Sequence, residues 1–271
     1  MNYINIAKII KDSDSKFLKS LPNFVIRIVT IIFRQNDLNK LFNDTSKYSG
    51  VDFPPKVIEY LNINVEIEGK ENLPNDGKCF FVSNHPFGFI DGIIQASIVG
   101  EKYGDLRIIG NDSLRLVPHL EPILTNVNVF GQNSRQYIVE LEKLYVSDIP
   151  ITTFPAGIVS RIRKGKIQDI EWKKSFIKKA VANKRDIVPI FFKGRNSILF
   201  YAIYLFRKIF NIRATIELSL LPREMFRKRN NTIKVRIGKP ISYKSFNSTL
   251  SHTQWAKKVK EQVYKLNYLT I

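Results

Sequence analysis

One apolar run that stops at a turn and restarts as a helix sets most of what this chain can fold into. Cys79-Phe80-Phe81-Val82-Ser83 reads as a short buried strand. The chain breaks at Asn84-His85-Pro86 and resumes at Asp91 as an apolar, helix-compatible stretch from Gly92 to Val99. Similar units recur. Ile63 to Glu68 alternates strictly, and Leu106 to Ile109, Val127 to Phe130, Ile149 to Phe154, Asp186 to Phe192 and Thr232 to Gly238 read as further strands. Thr215 to Leu220 reads as a short one, and Val57 to Leu61 is apolar without a clear period. Between them, Gln136 to Tyr145, Trp172 to Ala182, Ile198 to Phe210 and Thr253 to Tyr268 carry helical spacing. Strands alternating with helices predict an α/β fold, with a mixed, largely parallel central sheet flanked by helices.

The first 45 residues read differently, as a helical region ending in the polar stretch Asn43 to Gly50. Asp12 or Ser13 is placed to cap a helix containing Phe17, Leu18 and Leu21, and Pro22 precedes a second segment, Phe24 to Phe42. These residues suit helices packed on the core and equally an amphipathic segment dipping into a lipid interface. Residues 46 to 271 then form one domain, since no repeat or linker divides them. No apolar stretch reaches the roughly 20 residues of a bilayer-spanning helix. No secretory cleavage site follows the first ten residues.

Charge narrows the partners. With 43 Lys and Arg against 24 Asp and Glu, the net charge is +19, so an anionic surface or ligand is expected. Ser160 to Arg185 holds ten bases and two acids, and Arg207 to Lys239 the same. The single cysteine, Cys79, excludes an internal disulfide and a Cys-rich zinc site. His119 and His252 have no companions at metal-ligand spacing, so no metal is expected.

His85 and Asp91 sit on the strand-to-helix turn, where side chains are exposed yet held by rigid neighbours. Histidine titrates near neutral pH and suits a general base, and a carboxylate on its other nitrogen fixes the tautomer. On spacing alone, a structural pair capping the helix is the favoured reading. The blocks around them decide between these. Asn84-His85-Pro86-Phe87-Gly88-Phe89-Ile90-Asp91-Gly92 resembles the His/Asp signature of the glycerolipid acyltransferase superfamily. Five residues separate His85 from Asp91, where lysophosphatidate acyltransferases have four, and the longer form resembles the hemolysin-labelled branch that includes ornithine-lipid acyltransferases. Phe154-Pro155-Ala156-Gly157-Ile158-Val159-Ser160-Arg161, followed by Asp169 and Trp172, matches that branch where the wider superfamily has Phe-Pro-Glu-Gly-Thr-Arg. Ile187-Val188-Pro189-Ile190 and Ile237-Gly238-Lys239-Pro240-Ile241 resemble the later blocks, in order.

The resemblance implies an O-acyltransferase domain over residues 46 to 271. His85 would deprotonate a hydroxyl of a lyso-lipid, either a lysophospholipid or a lyso-aminoacyl lipid, with Asp91 orienting it. The donor would be acyl-CoA or acyl carrier protein, with no cofactor. Asn84, Gly88, Gly92, Gly157, Ser160 and Arg161 would line the substrate site, and Ala156 in place of the family Glu argues against a glycerol-phosphate acceptor. The expected place is the cytoplasmic face of an anionic membrane, held peripherally. A catalytically inactive lipid-binding relative is the alternative, and the retained His85 and Asp91 weigh against it. Nucleic-acid binding fits the charge, but no recognition motif for it is present.

Overall fold

The computed structural model of the chain describes residues 2–15, 19–110, 112–125, 135–163, 165–212 and 215–268. Among the described residues, helices come first: α1 (Ile6–Asp12), α2 (Asn23–Ile32), α3 (Gln35–Asp44) and α4 (Phe53–Tyr60). There follow β1 (Asn64–Glu68), β2 (Cys79–Ser83), α5 (Phe89–Tyr103), β3 (Arg107–Ile109), α6 (Arg135–Val146) and β4 (Ile151–Thr153). A hairpin of β5 (Arg161–Arg163) and β6 (Lys166–Gln168) precedes α7 (Ser175–Asn183) and β7 (Asp186–Lys193). The chain closes with α8 (Ile198–Ile209), α9 (Leu221–Phe226), β8 (Thr232–Ile237) and α10 (His252–Lys265).

The six-stranded sheet has the order β1-β8-β7-β2-β4-β3. Its neighbours are parallel except β7 and β8, so the sheet is mixed and largely parallel, as the alternating pattern predicts. β2 lies inside it, and all five of its residues are buried. That burial explains the unbroken apolar run. Alternate side chains divide between the two faces. Cys79 and Phe81 join Leu41, Phe42, Phe53, Val57, Ile90 and Ile94 from α3, α4 and α5. Phe80 and Val82 join Trp172, Phe176, Ile177, Val259 and Val263 beside α7 and α10. The Cys79 thiol, buried here, is pushed up to about 12 by desolvation and is chemically quiet.

Several details depart from the sequence reading. Val57 to Leu61 belongs to helix α4 and its end, with Pro54 and Pro55 in the first turn, where the missing N–H costs nothing. Ile216–Leu220 is a 3-10 turn rather than a strand. The β5–β6 hairpin is short, three residues a side, and its period was too brief to read. The segment Phe24 to Phe42 divides at Arg34, whose left-handed backbone (φ 55°) separates α2 from α3. The expected strand at Val127 to Phe130, and Phe17 and Leu18, lie outside the described residues. No helix among them is long and apolar enough to cross a membrane.

His119 ties α3 and α4 to the chain's start. Its buried ring stacks on Phe53 (centroids 4.7 Å apart) and meets Tyr3 and Phe42. Burial pushes its pKa below 6.5, opposed by a hydrogen bond to the Phe42 backbone. A base with a depressed folded pKa binds fewer protons folded than unfolded, so its stability is whole above the unfolded value and lost as pH falls below it. Melting temperatures of the wild type and His119→Phe, followed from pH 7.5 to 5, should diverge from about pH 6.5 downward. The wild type should lose more.

Candidate active site

Asp91 performs both tasks that the sequence left open. Gly88 caps α5 with φ 93°, a conformation that favours glycine, and a Cβ there would lie 2.8 Å from Leu221 Cδ2, so that side chain would have to shift. In the first turn, Asp91 Oδ2 accepts the Phe87 N–H at 2.8 Å and the Gly88 N–H at 3.0 Å, anchoring the helix start. The same oxygen meets His85 Nδ1 at 3.0 Å. An oxygen already accepting two amides takes a third donor, which assigns the proton to Nδ1 and the lone pair to Nε2. Burial pushes the Asp91 carboxyl up, and His85 and the two amides oppose it. The His85 side chain is 17% exposed and its ring stacks on Phe154, centroids 3.9 Å apart.

His85 is gripped by its backbone as well. Its N–H donates to Asp169 Oδ1 at 3.3 Å, and its carbonyl accepts from Ser160 N–H at 2.8 Å. Ser160 Oγ donates to the same Asp169 oxygen at 2.5 Å, and Trp172 Nε1 to Oδ2 at 2.9 Å. Tyr264 Oη accepts the Asp169 N–H at 2.8 Å. Asp169 is thus a buried hub joining the Ser160 turn, α10 and the His85 turn. Burial pushes its carboxyl up, against the pull of its donors. Next door, Asn84 spans to β7, donating to the Phe192 carbonyl at 2.9 Å and accepting its N–H at 2.7 Å.

The residues expected to touch substrate therefore divide. Gly88 and Gly92 flank Asp91, and a Cβ on Gly92 would meet only Phe154, at 3.8 Å. Gly157, itself exposed, holds the Phe154 turn with φ 71°, beside Lys173 Nζ. Asn84 and Ser160 are buried, and their side chains are committed to Phe192 and Asp169. Arg161 is buried between the Phe200 and Tyr204 rings and pairs with Glu217 at 3.1 Å. Arg207 meets Glu217 from the other side at 2.9 Å. Burial lowers the Arg161 pKa, and Glu217 opposes it. Sequence reading gave no role to Glu217, although it is one of only two acids in its basic stretch. It also passed over Asn196, on the turn after β7, and Lys228, whose Nζ donates to the Arg195 carbonyl of that turn at 2.9 Å. Among the described residues no cluster of His, Cys, Asp or Glu is arranged to hold a metal.

A family model described as acyltransferase matches residues 8–270. The chain belongs to the acyltransferase family. Two curated relatives are each described as a lyso-glycine lipid O-acyltransferase. That of Phocaeicola vulgatus is 41% identical over 97% of this chain and 95% of its own length, and that of Bacteroides thetaiotaomicron 38% over 97% of each. This acyltransferase is accordingly an O-acyltransferase. Its fold is similar to the crystal structure of the 1-acyl-sn-glycerophosphate (LPA) acyltransferase PlsC from Thermotoga maritima. That likeness has a TM-score of 0.50 at 18% identity, covering 92% of this chain and 94% of the other.

Proposed function

We propose that this O-acyltransferase moves a fatty acyl group from acyl-CoA or acyl carrier protein to a hydroxyl of a lyso-lipid with an amino-acid head. The observation that carries the reading is His85, held by Asp91 at Nδ1 and left with its Nε2 lone pair on a partly open ring. Nε2 takes the acceptor's proton as its oxygen attacks the thioester carbonyl. The tetrahedral centre collapses, the C–S bond breaks, and the thiolate leaves with the proton from His85. The products are an ester and a free thiol. The names of the two relatives support an amino-acid head, and Ala156 in place of the family glutamate points the same way. Purified protein given lyso-glycine lipid in anionic vesicles, with acyl-CoA or acyl carrier protein as donor, should form an alkali-labile lipid ester. No ester from either donor would sink the proposal.

The enzyme works from the surface of an anionic membrane. Two apolar faces support this. Phe24, Ile28 and Ile31 on α2 are exposed, as are Ile198 (81%), Phe206, Ile209 (77%) and Phe210 on and after α8. The Ile216–Leu220 turn packs against both helices, so the faces adjoin. Exposed Arg27 and Lys208 stand beside them. Each buried aliphatic or aromatic side chain is worth about 1.5–3 kcal/mol and each basic residue about 1 kcal/mol at a charged surface. Ile209→Asp with Phe210→Asp should reduce sedimentation with anionic vesicles at least about tenfold, without lowering the melting temperature. Undiminished sedimentation would place the membrane contact elsewhere.

A further inference from the structure

Asn196 is 3% exposed, yet neither its Nδ2 nor its Oδ1 has a hydrogen-bond partner among the described residues. Buried polar groups are nearly always paired, so an unpaired carboxamide held in a fixed turn calls for an explanation. Hydrogen bonds hold the turn around it. Its own N–H donates to Tyr201 Oη at 3.3 Å. Ser197 gives its N–H and hydroxyl to Glu224, at 2.7 and 2.6 Å. The Arg195 carbonyl accepts from Lys228 Nζ at 2.9 Å. The turn is fixed and its buried side chain is left unpaired.

That turn adjoins the reacting centre. It leaves β7, which runs parallel to β2 with Ser83 opposite Ile190, so both strands deliver their turns to one end of the sheet. Ligand crevices in such sheets lie beyond these carboxyl ends. Asn84 clamps Phe192, and the Phe87 ring fills the space over Gly194, where a Cβ would lie 2.2 Å from Cζ. Lys228 stands 4.4 Å over the same Phe87 ring. Tyr201 and Lys228 both lie within electrostatic reach of Asp91.

We infer that Asn196 contacts the lyso-lipid acceptor, pairing its carboxamide with an amide that joins the acceptor's head to its chain. A carboxamide offers a donor and an acceptor, the complement of an amide, whereas an ester carbonyl uses only the donor. A fatty chain joined to an amino acid through nitrogen carries such an amide. The inference rests on the acceptor class proposed above and assigns the residue that selects it.

The test compares two acceptors with the same hydroxyl-bearing chain, one on the nitrogen of glycine and one on the oxygen of glycolate. The ratio of kcat/KM, amide over ester, is measured for the wild type, Asn196→Leu and Asn196→Asp. The wild type should favour the amide at least about tenfold, and both variants should bring the ratio towards one, mainly through KM. If Asn196→Leu does not fold, Asn196→Asp, which keeps the shape, decides. A wild-type ratio near one, or a preference that survives in a folded variant, overturns the role of Asn196 alone. Failure of the wild type to acylate either compound overturns the acceptor class as well.

Discussion

Replacing His85 with alanine should lower kcat/KM for acyl transfer by about 10²–10⁴-fold, the usual worth of a positioned general base. The fold should survive, because Asp91 keeps its two amide donors from Phe87 and Gly88 when the imidazole is gone. Loss of rate with an unchanged melting temperature separates a catalytic histidine from a structural one. Asp91→Asn should cost a comparable factor in rate by a different route. An amide oxygen accepts more weakly than a carboxylate, and an amide NH₂ turned towards His85 would favour the wrong tautomer. Since Asp91 also anchors the start of α5, this variant should lose stability too. Activity within about twofold of wild type in His85→Ala would remove the base from the mechanism.

Glu217→Ala should destabilise the protein by about 3–5 kcal/mol, the usual effect of removing one partner from a buried ion pair. Glu217 is fully buried, with Arg161 at 3.1 Å and Arg207 at 2.9 Å, and its loss strands the Arg161 guanidinium between Phe200 and Tyr204. Glu217→Gln, which keeps an acceptor, should cost less. Equilibrium denaturation with urea reads both. A loss below about 1 kcal/mol for Glu217→Ala would mean that the pair is solvated as a surface bridge is. By the same reasoning, Arg161→Ala should appear first as lost stability rather than as weaker headgroup binding.

The sheet was legible because a strand buried on both faces leaves an unbroken apolar run, as in Phe80-Phe81-Val82 and Ile187-Val188-Pro189-Ile190. Short elements were not. Ile216–Leu220 has β-compatible residues, but ordering by Arg161 and Arg207 on Glu217 is a long-range effect that no local pattern reports. The pair of His85 and Asp91 was legible from spacing and family blocks. The double duty of Asp91 was not, since helix capping and imidazole orientation draw on the same oxygen. Charge misled in one respect. Arg161 and Arg185 count towards basic stretches, yet both are buried. Arg185 spends its donors on the carbonyls of Leu144, Tyr145, Ser147 and Ile149 at the end of α6 and the turn after it. Cations that serve backbone carbonyls look the same in sequence as cations that face lipid.

Direct transfer, with His85 as base rather than nucleophile, is tested most directly by following a labelled acyl group. The protein is incubated with labelled thioester donor and lyso-glycine lipid, quenched at early times, and both protein and lipid are weighed by mass spectrometry. The label should pass to an alkali-labile ester on the lipid, with none on the protein at any time. An acyl group on His85 before the ester forms, or a lipid that never gains the label, would contradict it.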